Sequence, residues 1–305
     1  MSVSELSPLN STSDLYPSRK GKPAKIITRQ DPIIYADRPD TSVLNQEHLD
    51  FYQQNGFLVL HNFFSAEEIE LFNEELSRLS GLSTKTADSR FILEKDCQNV
   101  RSIFEIHVIS NVFERLCSDP RLTQLAKLIL NDDIYIHQSR INYQPGFKGK
   151  GFQWHSDFET WHTEDGMPRM RAVSISIPLT ANTPSNGPLM FVPKSHKHFL
   201  SCSAQTPANN FISSLKEQRI GVPNERHISD LVRQYGIVQA LSQPGSIILF
   251  DCNTLHGSNS NISPLPRSNL FFVYNAVSNQ LVKPYDEAPS RPEYLAARRS
   301  MRPLE

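Results

Sequence analysis

His155 and Asp157 stand two residues apart in the run Phe152-Gln-Trp-His-Ser-Asp-Phe-Glu-Thr-Trp-His162. On an extended segment, residues i and i+2 face the same side, so an imidazole nitrogen and a carboxylate oxygen can converge on one ion. A third ligand must come from elsewhere in the chain. His256, in Phe250-Asp-Cys-Asn-Thr-Leu-His-Gly-Ser258, follows a well-marked strand and can supply it. Two histidines and one carboxylate form the facial triad of non-haem iron(II) oxygenases, which leaves coordination positions open for a co-substrate and for O2. His-x-Asp alone is a weak signal, because most histidines are surface or structural residues. Arg267, downstream of His256 at the rim of the next strand, strengthens it. A planar, always-charged fork suits a dicarboxylate such as 2-oxoglutarate, held at its far end while the keto-acid end chelates the metal.

Other tempting residues carry plainer readings. His162, His196 and His198 lie close to this constellation in sequence, but a triad is complete without them, so structural support is their expected role. Glu159, Glu164 and Asp165 could form acid/base pairs for hydrolysis. Glu159 is instead expected to orient the loop, and the other two precede a Gly-Met-Pro turn.

These residues need a scaffold. Asn45 to Asn55 reads as a short amphipathic helix ended by Gly56, followed by the apolar strand Phe57-Leu-Val-Leu60. Ser65-Ala-Glu-Glu is a capping-box pattern that opens a second helix through Ile69, Leu71, Phe72 and Leu76. Val112 to Ile129 is helical again, interrupted near Pro120. After it come short β-rich runs between Gly, Pro and Asn: Ile134 to Tyr143, Ala172 to Leu179, Leu189 to Val192, Ser246 to Phe250 and Asn269 to Tyr274. Strands without alternating βαβ units argue for an antiparallel sandwich or barrel with helices packed outside. Residues 203 to 240 show only a helix around Ile228 to Tyr235, and there is no internal repeat.

At 305 residues the chain is long enough for one large domain. The split expected is a loose arm over residues 1–42, folding over the body or onto a second subunit, and one domain over 43–305. Hydrophobic residues at 38%, charged residues at 21% and a net charge of −1 give no electrostatic reason for a nucleic-acid or anionic-membrane partner, so the partner expected is small. Met1 to Leu15 lacks a signal-peptide pattern, and no apolar run approaches the roughly 20 residues that span a bilayer, which makes a cytoplasmic protein the expectation. Cys97, Cys117, Cys202 and Cys252 form no C-x-x-C pair and are expected to be buried free thiols. Asn10-Ser-Thr and Asn261-Ile-Ser fit a glycosylation pattern that carries no weight without a secretory signal.

His155-x-Asp157, the segment Asn186-Gly-Pro-Leu-Met-Phe-Val-Pro-Lys-Ser-His196, and His256 with Arg267 resemble the phytanoyl-CoA hydroxylase-like family of 2-oxoglutarate dioxygenases. More specifically, Phe152 to Pro168 (FQWHSDFETWHTEDGMP) is similar to the signature of the bacterial ectoine hydroxylases, and the likeness extends through Tyr135-Ile-His-Gln-Ser-Arg-Ile-Asn142 and the C-terminal strands. The resemblance implies a double-stranded β-helix, a jelly-roll or cupin-type barrel with flanking helices. It implies oxidation of ectoine to 5-hydroxyectoine, a compatible solute, with release of succinate and CO2, and a homodimer. It implies His155, Asp157 and His256 as iron ligands, and Asn142, Ser258 and Arg267 as 2-oxoglutarate contacts. Gln138, Thr160 and Trp161 become the ectoine contacts. One position departs: where the family has Lys before the Pro-Gly turn, this chain has Gln144. If that lysine holds the co-substrate, its charge is missing here unless Lys148 or Lys150 compensates. Asp157 itself fits hydroxylation, since an Ala or Gly there, as in related halogenases, would leave room for chloride.

Ectoine is a small ring with a delocalised cation and a carboxylate. A Trp161 face could attract that charge, worth roughly 0.5 to 2 kcal/mol, with Gln138 at the polar edge. The rival readings are a hydroxylase of an acyl thioester or free amino acid, a catalytically silent barrel used for binding, and, weakest, a zinc hydrolase.

Overall fold

The computed structural model describes residues 14–83, 87–94, 99–216, 218–299 and 301–304. Asn10, Cys97 and the first residues of the chain, on which some expectations fall, lie outside the described residues.

The chain opens with β1 (Ile26–Thr28), α1 (Gln46–Asn55), β2 (Phe57–Leu60) and α2 (Ala66–Ser83). Then come β3 (Phe91–Leu93), β4 (Val100–Phe104), α3 (Ile106–Ile109), α4 (Asn111–Cys117), α5 (Pro120–Leu130), β5 (Ile134–Gln144), β6 (Phe152–His155) and α6 (Asp157–Asp165). The second half carries β7 (Ala172–Pro178), β8 (Leu189–Phe191), β9 (His198–Leu200), α7 (Asn210–Ser214), α8 (Glu225–Tyr235), β10 (Val238–Gln239), β11 (Ile247–Asp251), β12 (His256–Ser258) and β13 (Arg267–Ala276).

The helix ends follow the sequence signals. Asn45 caps α1 by accepting from the His48 backbone N–H, and Gly56 ends it in the left-handed region at φ 80°. Ser65 and Glu68 form the reciprocal capping box of α2, at 2.8 and 3.3 Å. Asp119 caps α5, with Pro120 at its first position, which is why the helical run breaks there. Gly56 is fixed twice over. A Cβ there would fall 2.5 Å from the His196 ring and 2.6 Å from Thr254 Oγ1. Gly56→Ala is therefore expected to cost more than about 1 kcal/mol in urea unfolding; an unchanged midpoint would contradict this account.

A seven-stranded sheet, ordered β2-β11-β7-β13-β5-β4-β3, faces a four-stranded sheet, β10-β8-β12-β6, and every pairing is antiparallel. This is the double-stranded β-helix with flanking helices that the sequence leads one to expect. The outer face of the large sheet carries Ile141, Leu270, Phe272 and Tyr274, packed against Tyr52, Phe72, Phe113 and Leu125 of the helices. Each such side chain contributes ~1.5–3 kcal/mol by leaving water. Between the sheets lie Phe57, Phe191, Phe250 and Phe271, with Phe57 and Phe191 stacked at 4.7 Å.

A bulge decides which β5 residues reach the interior. Val273 pairs with Gln138 and Tyr274 with Ile136, so His137 is the extra residue on β5. Ahead of it Ile134 and Ile136 face the helices; beyond it the phase flips, and Ile141 takes that side. Gln138, Arg140, Asn142 and Gln144 therefore share the interior face with Val273, Phe271, Asn269 and Arg267, their register partners on β13.

Residues 14–42, read in the sequence as a loose arm, lie on the body. Tyr16 is fully buried, and β1 pairs with β9 from Ile26↔Leu200 to Thr28↔His198. Cys117, Cys202 and Cys252 are buried free thiols.

Candidate active site

β6 and β12 pair so that His155 and His256 are direct register partners, with ring centroids 4.3 Å apart. The sequence argument placed Asp157 on the same extended segment as His155, and the structure corrects this. Extended backbone continues only through Ser156 (φ −109°, ψ 135°), which caps α6 by accepting from the Glu159 N–H, and Asp157 is the first residue of that helix. Because Ser156 is still extended, the side chains converge nonetheless. His155 Nε2 lies 3.7 Å from Asp157 Oδ1, and His256 Nε2 lies 3.9 Å from Asp157 Oδ2. Among the described residues these form the one group whose ligating atoms, all within 4.8 Å of one another, could hold a metal ion.

The donor set fits iron(II). His155 Nδ1 donates to the Gln153 carbonyl at 2.7 Å and His256 Nδ1 to the Thr254 carbonyl at 3.0 Å, which leaves each Nε2 with its lone pair free. Asp157 Oδ2 is buried with no hydrogen-bond partner. Burial, with His155 alongside, pushes the His256 imidazole down to about 4, so it is neutral and able to ligate near pH 7. Burial would raise the Asp157 carboxyl, but the electrostatic pull of its neighbours His256, Arg140 and His155 holds it well below the usual carboxylate range.

At the other end of the interior, Arg267 is 1% exposed, and its Nε and Nη1 are buried without partners. Burial, then the nearby Arg101, pushes its guanidinium down to about 10, still charged at neutral pH. Arg101 lies 4.3 Å over the Phe152 ring. Gln144 faces Arg267 across the β5–β13 pair, and its Nε2 reaches the Lys150 carbonyl at 3.2 Å and Ser258 Oγ at 3.4 Å, leaving Oε1 buried and unpartnered. Asn142 Oδ1 accepts from Ser102 Oγ at 3.0 Å. A buried cation with orphaned N–H groups, ringed by small polar side chains, fits a carboxylate. Lys148 and Lys150 are solvent-exposed, so neither puts a buried ammonium where the family's lysine would stand.

Gln138, Thr160 and Trp161 line one half-open cleft with Asn142, His155 and Asp157. Trp161 is 2% exposed and meets the His137 ring edge-on at 5.1 Å. Gln138 is engaged at both ends: its Nε2 donates to the Leu295 carbonyl at 2.7 Å, and its Oε1 accepts from Arg140 Nη1 at 2.6 Å. It therefore fixes Arg140 more firmly than it offers a free edge. Arg140 and Arg291, both on the cleft wall, were missed in the sequence. The alternation that places Gln138 and Asn142 on the interior also names Arg140 between them; Arg291 sits in an irregular C-terminal stretch with no such signal.

The acids are not paired with one another. Glu159 and Glu164 share Arg19, and Asp165 binds Arg291 at 2.7 and 2.6 Å. This removes the hydrolytic reading. Glu159 sits in α6 rather than in a loop. His162 stacks on Tyr285 at 4.1 Å and hydrogen-bonds Met167 and Asp14, and His196 is fully buried beside Gly56; neither belongs to the triad.

Three buried histidines and the partly buried His107 have imidazoles pushed down mainly by desolvation: His107, His196 and His256 to about 4, and His137 to about 3. A histidine whose folded value is depressed stays neutral while the unfolded chain takes a proton. Stability is therefore full above about pH 6.5 and falls as pH drops toward 4, by more than about 1.4 kcal/mol per pH unit when several titrate together. Urea midpoints measured from pH 7 to pH 5 are expected to fall steeply, and a flat profile would refute this.

The phytanoyl-CoA dioxygenase (PhyH) family profile matches residues 52–269. The chain belongs to that family. Among relatives in it, the ectoine dioxygenase of Sphingopyxis alaskensis is 47% identical over 93% of each chain. The ectoine dioxygenase of Stutzerimonas stutzeri is 45% identical over 96% of this chain and 97% of its own. The crystal structure of EctD from S. alaskensis with 2-oxoglutarate and 5-hydroxyectoine superposes with a TM-score of 0.86 at 43% identity, over 96% of this chain and 97% of that one. The same protein with bound Fe gives 0.85 at 43% identity over the same shares.

Proposed function

We propose that this chain is an ectoine dioxygenase: it converts ectoine, 2-oxoglutarate and O2 into 5-hydroxyectoine, succinate and CO2, with iron(II) as cofactor. The observation that carries this reading is one barrel interior with a His-Asp-His triad in its wall, an unpartnered buried arginine at one end and a tryptophan-lined cleft at the other. It is supported by full-length likeness to ectoine dioxygenases.

In this reading His155, Asp157 and His256 hold the metal. When bound, iron(II) supplies the activation of O2 that couples decarboxylation of 2-oxoglutarate to insertion of one oxygen atom into a C–H bond. The chain does the positioning. Arg267 takes the distal carboxylate of 2-oxoglutarate through its orphaned N–H groups, with Ser258, Asn142 and the neutral Gln144 around it. Arg140, over the Phe271 ring at 4.9 Å and electrostatically coupled to Asp157, balances carboxylate charge on the metal side of the cleft. Trp161 presents a wall to the delocalised ectoine cation, with Thr160 beside it and Gln138 behind Arg140.

Anaerobic loading with iron(II), followed by exposure to O2 with 2-oxoglutarate and ectoine, tests the whole reading. Coupled succinate and a product heavier by one oxygen atom are expected. Succinate without hydroxylated product would keep the reaction class and remove ectoine, and no iron-dependent turnover would leave a binding barrel.

Residues 1–42 as an arm on a 43–305 dioxygenase domain, a cytoplasmic location and a homodimer complete the proposal. Light scattering on the purified protein tests the last. No described helix is long and apolar enough to cross a membrane.

A further inference from the structure

Ahead of the barrel, Arg19 holds its backbone in the left-handed region (φ 55°) and buries its guanidinium completely. Every face of that guanidinium meets a specific group. Nε donates to Glu159 Oε1 at 3.0 Å, and Nη2 to Glu159 Oε2 at 2.6 Å and Thr160 Oγ1 at 3.0 Å. Nη1 donates to Glu164 Oε1 and, at 3.4 Å, to Thr206 Oγ1. The contacts around it tighten the same joint. Ser18 Oγ also donates to Glu159, Asp14 binds His162 at 2.9 Å, and Tyr16 meets Phe158 edge-on at 5.4 Å. On the far side the chain closes at Gly221 (φ +78°). A Cβ there would stand 2.4 Å from Arg19 Nη2, 2.9 Å from Glu159 Oε2 and 3.1 Å from Thr160 Oγ1.

Two of the groups Arg19 grips are cleft residues. Thr160 and Glu164 both line the cleft beside Trp161. Thr160 Oγ1 accepts from Arg19, which leaves its O–H as a donor on a residue that lines the cleft. Glu164 Oε1 takes both Arg19 and Asn210 Nδ2, the latter at 3.0 Å, which leaves Oε2 as an acceptor. Glu159 does not reach the cleft, and it neutralises Arg19 from behind.

We infer that Arg19 is a positioning residue for substrate: it aims the Thr160 hydroxyl and the Glu164 carboxylate into the cleft as a donor and an acceptor for the two charged ends of a small zwitterion. This rests on the reading of the cleft as the ectoine site. A buried ion pair that only braced the fold would change the amount of active protein and nothing else. A positioning residue changes how substrate is held.

The test compares wild type with Arg19→Lys and Arg19→Gln in the coupled assay, scoring KM for ectoine, KM for 2-oxoglutarate, and hydroxyectoine formed per succinate. Both variants are expected to raise KM for ectoine roughly 10-fold or more, as loss of a charged hydrogen bond would. They are expected to form excess succinate and to leave KM for 2-oxoglutarate within about twofold. A lower rate with unchanged KM values and unchanged product ratio would overturn the inference. Glu164→Gln keeps the Arg19–Glu159 pair and decides the matter if the Arg19 variants do not fold: a raised KM for ectoine supports the inference, and an unchanged one overturns it. If wild type itself does not turn over ectoine, the functional reading fails separately. Binding of ectoine to the anaerobic, iron-loaded protein by calorimetry then carries the test: a Kd raised roughly 10-fold or more in Arg19→Lys supports the inference, and an unchanged Kd overturns it.

Discussion

Arg267→Met is expected to make the protein more stable and nearly useless. In the wild type, a guanidinium 1% exposed keeps two N–H donors without partners, and burial pushes its ionisation down to about 10. Folding therefore works against a charge that no group among the described residues is seen to compensate, a cost on the order of a few kcal/mol. Methionine removes that cost and fills similar volume, so the thermal midpoint of the protein without ligands should rise. The same change leaves a 2-oxoglutarate carboxylate buried and unpaired. KM for 2-oxoglutarate should rise by roughly 30-fold or more, the equivalent of ~2 kcal/mol or above for truncating one partner of a buried charged contact. Adding 2-oxoglutarate should shift the wild-type melting midpoint upward and leave the variant's in place. Scanning calorimetry with and without 2-oxoglutarate reads both halves. A destabilised variant with a normal KM would show that Arg267 serves the fold instead.

Asp157→Ala should have the opposite character: an intact fold with no bound iron. The backbone pairing of β6 with β12 brings His155 and His256 together without help from Asp157, and the Ser156 cap that starts α6 also survives the substitution. What is lost is the anionic ligand between two imidazoles. Changing an outer partner of a ligand typically costs 10–100-fold in metal affinity or activity, so loss of a ligand should cost at least about 100-fold in turnover. Iron content by chelator titration, circular dichroism and succinate release together decide it. A variant that retains stoichiometric iron and more than about a tenth of wild-type turnover would remove Asp157 from the metal site.

The contrast between these two residues bears on how the sequence could be read. The triad was legible because its logic is local at both ends: a His-x-Asp spacing on one side and a histidine just past an apolar strand on the other. Its geometry was half legible. Ser156 is the turning point between strand and helix, and Ser is both a good N-cap and an ordinary strand residue, so i and i+2 looked extended where the chain was already entering α6. The strands β5, β7 and β13, the wholly apolar start of β11, and the helices α1, α2, α4, α5 and α8 were visible through caps and apolar patterning. Short pieces such as β4, β9, β12 and α7 were not, because three to five residues hold too little pattern and their partners lie far away in the chain. The bulge at His137 hid where the interior face of β5 begins, since it shifts the alternation there, although from Gln138 onward the alternation does name Arg140. Arg19 was invisible for a different reason. Its meaning lies wholly in Glu159, Thr160 and Glu164, and a lone arginine among Ser, Pro and Lys residues reads as a solvated surface.

That long-range bond also has a bearing on the order in which the molecule becomes itself. Arg19 must wait for acids that arrive 140 and 145 residues later, and for the backbone at Gly221 that covers it. A guanidinium held between two carboxylates gains nothing from being stripped of water until both are in place, so this joint is expected to close late and open early. After dilution from denaturant, sheet and helix signals should therefore return ahead of hydroxylation, and the enzyme should pass through an interval in which it has its shape but not yet its trade.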